Sequence, residues 1–305
     1  MKDPMKKYFR TGLVHFMAYP FAMSGEGEIT KTIRTTLEDP YFEYIELTKI
    51  NDPKEREQAA KLAQEAGVGI AYGAQPQLLR SGDNLCDLNE TGRMRAVARV
   101  KACVDEAYSM NAEGIAFLAG RYDAQRIEEH YQALVRSTRE ICAYAQSKGA
   151  MAVNLEVFDA DVEKCSLIGP APLARRFAAE ISKEYPRFGL MADLSHIAQL
   201  RESYDENLDP ILPYLRHVHL ANAVLTKGQP AYGDQHPRFG IAYSEITAET
   251  VTAFLKKLFA VGYLGGENRP VISFEVKPLE GEDSAMIIAG AKRMLDVAWA
   301  QLEVE

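Results

Sequence analysis

Gly189-Leu-Met-Ala-Asp-Leu-Ser-His-Ile197 decides the reading of this chain, because an apolar run passes without a break into an acid and, three residues on, a histidine. Leu190, Met191 and Ala192 suit a strand buried on both faces, so Asp193 and His196 are expected where the strand stops and a loop begins. Any chemistry then sits at a strand end.

The same grammar recurs. Met151 to Asp159 is an apolar run that delivers Glu156 near its end. In Arg216 to Asn222, alternation with period two puts His217 and His219 on one face, with His219 nearer the exit. Pro270 to Pro278 carries Glu275 in the matching place. Four strands thus offer Glu, Asp, His and Glu from equivalent ends, which is a metal site in outline.

Outward from these segments the chain alternates. Strand signals fall at Thr11–Met17, Tyr44–Thr48, Val68–Gly73 and Glu113–Leu118, ahead of the four already described. Helix signals fall at Thr30–Leu37 and Pro53–Ala66. Two more run from a cap at Asn89 through Met94, Val97, Val100 and Val104, and from Asp123 through Ile127, Tyr131, Leu134 and Ile141 to Gly149. The later ones are Pro172–Tyr185, Pro210–Leu215, a stretch with Val251, Leu255 and Leu258, and Ala285–Leu302. Eight strands alternating with eight helices predict an α/β chain, a (β/α)8 barrel forming one domain over residues 1–305, with the barrel proper at about 10–302. More than 20 residues rich in Gly, Pro and aromatic side chains follow Asn222, and long loops of that kind usually carry function.

Composition sets further bounds. Hydrophobic content of 47% with 26% charged residues is ordinary for a globular chain, and a formal charge of −8 without a basic stripe argues against nucleic acid as a partner. Cys86, Cys103, Cys142 and Cys165 have neither zinc-knuckle nor redox spacing. No apolar run approaches the ~20 residues that span a bilayer, and the charged start lacks a signal-peptide core, so a cytoplasmic location is expected.

Glu156, Asp193-x-x-His196, His217-x-His219, Asp234-x-His236 and Glu275 together resemble the xylose isomerase-like TIM barrels, which include ketose 3-epimerases, hydroxypyruvate isomerase, inosose dehydratase and endonuclease IV. The resemblance implies that Glu156, Asp193, His219 and Glu275 ligate one divalent cation, with Mn, Mg or Co first and Zn as an alternative. It also implies that His196 binds substrate oxygen and that Glu156 and Glu275 are the catalytic pair, handling protons on opposite faces of an enediol. The activity so implied is an isomerase or epimerase of a keto sugar or polyol derivative, forming dimers or tetramers. The alternatives are a lyase or dehydratase, including the type that cleaves carbon-linked glycosides, and a barrel that binds sugar or a partner without catalysis.

Two departures stand out. Gln75 and the Leu118-Ala-Gly-Arg121 segment supply none of the histidines that endonuclease IV uses for further zinc ions, so a trinuclear site is not expected. Ala221, Asn222 and Ala223 stand where the ketose epimerases carry a Gly-Glu and then an Arg. In the long loop, Asp234, His236 and Arg238 are expected to hold or orient substrate, and Arg238 suits a carboxylate or phosphate. His15, near the end of the first strand, is a further candidate for the substrate pocket. His217 reads as a satisfied core histidine, His130 as solvated surface, and Glu46 as either substrate-facing or an ion-pair partner inside the barrel.

Overall fold

The computed structural model describes residues 1–303. Its parallel strands are β1 (Arg10–Val14), β2 (Tyr44–Leu47), β3 (Gly69–Gly73), β4 (Gly114–Leu118), β5 (Ala152–Val157), β6 (Phe188–Asp193), β7 (Leu215–Ala221) and β8 (Val271–Glu275). They pair in chain order, and β8 pairs β1 to close the (β/α)8 barrel. Helices return the chain between strands and cover the outside of the ring.

Alternation along each strand sorts the side chains into two layers. Ile45, Leu155, Leu190, Val218 and Phe274 join the apolar cluster shared with the helices, and all are fully or almost fully buried. The residues of opposite parity face inward. At the N-terminal end of the barrel, Tyr44, Ala71 and Val271 form a small apolar plug. Above it lie Glu46, His217 and Ser273, and above those Glu156, Asp193, His219 and Glu275. The interior therefore grades from apolar to charged toward the C-terminal mouth. Gly12 permits tight closure, since a Cβ there would fall 2.2 Å from Ser273 Oγ across the β1–β8 seam.

Several helix ends follow directly from the residues that form them. Asp52 accepts from the Lys54 amide before the helix Pro53–Ala66, and Gly67 closes it at φ 66°. Asn89 caps Glu90–Ser109 in the same way.

The structure also corrects the reading at strand exits. β1 stops at Val14, and His15 begins a helical turn, His15–Ala18, where strand was expected as far as Met17. Asp193 does not open a loop; its carboxylate accepts from the Ser195 amide at 2.5 Å and caps the helix Leu194–Leu200, which carries His196. The helix expected to run to Tyr185 ends at Ile181. The one expected at Pro210–Leu215 begins earlier, at Tyr204, because Ser203 and Glu206 form a capping box there. Gln75–Ser81 is an additional helix. Met94, expected on a packed face, is exposed. His130 is buried rather than solvated: its Nδ1 lies 2.7 Å from the Cys86 carbonyl, and its Nε2 accepts from the Asp123 amide at 3.2 Å.

No helix of the described residues is long and apolar enough to cross a membrane.

Candidate metal centre

Asp193 and Glu275 end β6 and β8, Glu156 stands one residue before the end of β5 and His219 stands on β7, so the four come from adjacent staves on one side of the ring. One potential ligand atom from each lies within 4.8 Å of all the others. His219 is the hub. Its Nδ1 lies 2.6 Å from Glu275 Oε2, 3.7 Å from Glu156 Oε1 and 3.7 Å from Asp193 Oδ2. All four are at most 8% exposed.

The chemistry of this donor set fits a divalent cation. Glu156 Oε1 and Asp193 Oδ2 are buried without a hydrogen-bond partner among the described residues, and both face the His219 ring. Buried carboxylate oxygens left unpaired are costly, and a shared cation relieves both at once. Three carboxylates and one imidazole form a hard shell suited to a divalent cation.

Around this set, other groups fix orientation. Glu46 Oε1 receives the far nitrogen of His219 at 3.0 Å and Nε2 of His217 at 2.7 Å. This leaves His219 Nδ1 facing the carboxylates, an arrangement in which an outer carboxylate sets the tautomer and aim of a ligating imidazole. Gln75, at the start of the helix after β3, donates from Nε2 to Glu156 Oε2 at 2.7 Å.

A second layer borders the first. His196 Nε2 lies 2.9 Å from Asp234 Oδ1, and its Nδ1 lies 2.9 Å from the Val157 carbonyl. His236 Nε2 stands 3.3 Å from Glu275 Oε1 and 3.4 Å from Asp234 Oδ1. The other oxygen of Asp234 pairs with Lys164 Nζ at 2.8 Å. His236 sits at φ 47°, a left-handed conformation that costs a non-glycine residue about 1–2 kcal/mol, and its carbonyl accepts from the Lys277 amide at 2.7 Å. The backbone is thus held in an unfavourable state where its imidazole meets Glu275.

These neighbours shift one another's protonation. Burial raises the Asp193 carboxyl to about 6 against the pull of His196 and His236. Burial disfavours the imidazolium of His196, yet Asp234 and Asp193 lift it to about 10, and Glu275 and Asp234 lift His236 to about 9. Burial likewise opposes ionisation of Asp234, but His236, His196 and Lys164 hold it well below the usual carboxylate range.

Residues 41–282 match the xylose isomerase-like TIM barrel family. The chain belongs to that family. No curated protein sequence matches it. Solved structures with the same fold include a D-psicose 3-epimerase with D-tagatose from Clostridium cellulolyticum H10, at 16% identity and TM-score 0.70, covering 97% of this chain and 100% of the other. A D-tagatose 3-epimerase-like protein is similar at 18% identity and TM-score 0.68, over 96% and 99% of the two chains. An AP endonuclease of family 2 from Brucella melitensis is similar at 14% identity and TM-score 0.63, over 93% and 98%.

Within this xylose isomerase-like barrel, a pocket of about 190 Å³ is lined by Glu156, His219 and Glu275 together with Gln75, Lys164, Asp234 and His236. His15, His196 and Arg238, expected to meet substrate, are not among its walls. His15 Nε2 bonds Thr32 Oγ1 at 2.9 Å beneath Tyr19, and Arg238 pairs with Glu282 at 2.8 Å outside. Residues that the sequence did not single out complete the site. Asp159, fully buried, accepts from the amides of Val162, Glu163, Lys164 and Cys165 and so shapes the loop after β5. That loop presents Lys164 to Asp234, and Glu163 accepts from the Asp234 amide at 2.8 Å. The sequence signal was available in principle: an Asp ending an apolar strand before a short polar loop is an Asx-turn former.

Proposed function

We propose that this chain is a divalent-metal-dependent isomerase or epimerase acting on a keto sugar or polyol derivative. The observation that carries the reading is the convergence of Glu156, Asp193, His219 and Glu275, with two unpartnered buried oxygens facing one imidazole nitrogen. The fold shared with the D-psicose 3-epimerase and with an E. coli 3-keto-D-glucoside 4-epimerase supports the choice of a carbohydrate carbonyl as the reacting group.

A divalent cation held by the four residues would supply a Lewis acid for that carbonyl, acidifying the adjacent C–H bond. Glu275 is the proposed base on one face. His219 and His236 beside it hold its carboxylate ionised against the cost of burial, so it enters the reaction without a proton. Glu156 is the proposed partner on the opposite face, with its Oε2 fixed by Gln75. His196, cationic beside Asp234 and bound to the Val157 carbonyl through its other nitrogen, positions Asp234 at the pocket wall. Asp234 and His236 complete the polar wall against which a hydroxylated ligand is oriented.

The test is solvent deuterium incorporation α to the carbonyl in a panel of ketoses, followed by mass analysis of the product. Glu275→Gln is expected to lower exchange by at least 100-fold while metal-loaded protein still binds ligand. Full exchange in that variant would remove the proton-transfer role. A product of unchanged mass fits isomerisation, whereas loss of water or of an aglycone would replace the reading with that of a lyase.

A further inference from the structure

We infer that the substrate carries an anionic oxygen group, a carboxylate or a phosphate, bound at the mouth of the pocket by Arg80 and Lys277. This rests on the functional reading above and narrows its substrate class. Both residues line the pocket that contains Glu156, His219 and Glu275. They reach it from different walls, Arg80 on the helix Gln75–Ser81 after β3 and Lys277 just beyond β8.

Local structure delivers both side chains to the cavity. Gln75 and Leu79, and likewise Pro76 and Arg80, are spaced four apart, so they share one helix face, and all four line the cavity. Lys277 continues the inward parity of Ser273 and Glu275, and its amide is anchored on the His236 carbonyl.

What separates these two cations from the others nearby is that nothing among the described residues answers them. Lys164 is engaged by Asp234 and Glu163, and Arg238 by Glu282. Arg80 and Lys277 make no ion pair and no side-chain hydrogen bond among the described residues. The acids of the pocket are already matched, Asp234 by Lys164 and His196, and Glu275 by His219 and His236. Glu156 keeps an unpartnered oxygen, which faces His219 within the proposed donor set. Arg80 and Lys277 line one cavity of about 190 Å³ from different walls, and a guanidinium together with an ammonium suits a multi-oxygen anion.

The experiment titrates Mn-loaded protein calorimetrically with D-fructose, D-fructose 6-phosphate and 5-keto-D-gluconate, and follows deuterium exchange on each. At least one anionic probe is expected to bind tenfold or more tighter than fructose, and the phosphate and carboxylate arms identify which anion the site takes. In Arg80→Gln/Lys277→Gln the preference of the anionic probe over fructose is expected to fall tenfold or more, with partial recovery in Arg80→Lys/Lys277→Arg. Equal binding of neutral and anionic probes, or a preference that survives the double substitution, overturns the anion subsite. Selective anion binding without exchange on any probe keeps the subsite and overturns the isomerase reading. Exchange on fructose with no anion preference does the reverse, and failure of all three probes to bind overturns both.

Discussion

Glu46 shows how much of a site can depend on a residue outside the donor set. It bridges His217 and His219, and burial is outweighed by those two imidazoles, which hold its carboxyl well below the usual range. Glu46→Gln keeps an acceptor but removes the charge that fixes the His219 tautomer. Competition with a chelator is expected to show divalent affinity about tenfold weaker or more. His15 makes a separate prediction. Burial lowers it from its ordinary 6.5 to about 3, so the folded protein keeps it neutral where the unfolded chain takes up a proton. Its contribution is present above pH 6.5 and is lost as pH falls toward 3, at up to about 1.4 kcal/mol per pH unit. In urea unfolding the stability difference between wild type and His15→Asn should therefore shrink across that window; a pH-independent difference would contradict the assignment. At this scale the sequence was informative where a polar residue ended an apolar run, as at Glu156, Asp193, His219 and Glu275. Gln75, Glu163 and Lys164 were silent because their roles depend on partners 70 to 81 residues away.

Among the elements, the long helices and the strands were legible because their hydrophobic period extends over many residues, whereas the helices His15–Ala18, Gln75–Ser81 and Leu194–Leu200 are too short to show one. Those three short helices follow strand ends, and they carry His15, Gln75, Arg80 and His196. The loop after β5 is likewise defined by one side chain, not by a pattern. Asp159→Ala removes the acceptor of four amides and is expected to destabilise the fold by about 3 kcal/mol. Limited proteolysis should then cut within residues 160–169 faster than in wild type. An unchanged cleavage rate would show that the clasp on Asp234 alone holds the loop.

For the molecule as a whole, the barrel brings together Glu156 and Glu275 across 119 positions, so a cation held there is expected to stabilise the fold. Mn at a hundredfold excess over its Kd is expected to stabilise the native state by about 2.7 kcal/mol, read as a rise in Tm that a chelator reverses. The effect should weaken toward acid. The neighbouring carboxylates lift His219 well above its ordinary value against the effect of burial, so binding at Nδ1 must displace a proton. Proton release measured in buffers of different ionisation enthalpy checks this. The alternation of strand and helix made the closed barrel legible, but the length of the loop after β7 gave no hint of its course. Asn222 fixes that course, accepting from Ser244 and Ile246 and donating to the Arg238 carbonyl.

The division of labour between wall and loop has a practical side. Glu156, Asp193, His219 and Glu275 belong to the staves, whereas Asp234 and His236 travel with a segment tied down at Asn222. A chimera that receives this segment from another barrel is expected to keep the four-residue donor set intact while its pocket wall changes, which offers a route to transplanted specificity.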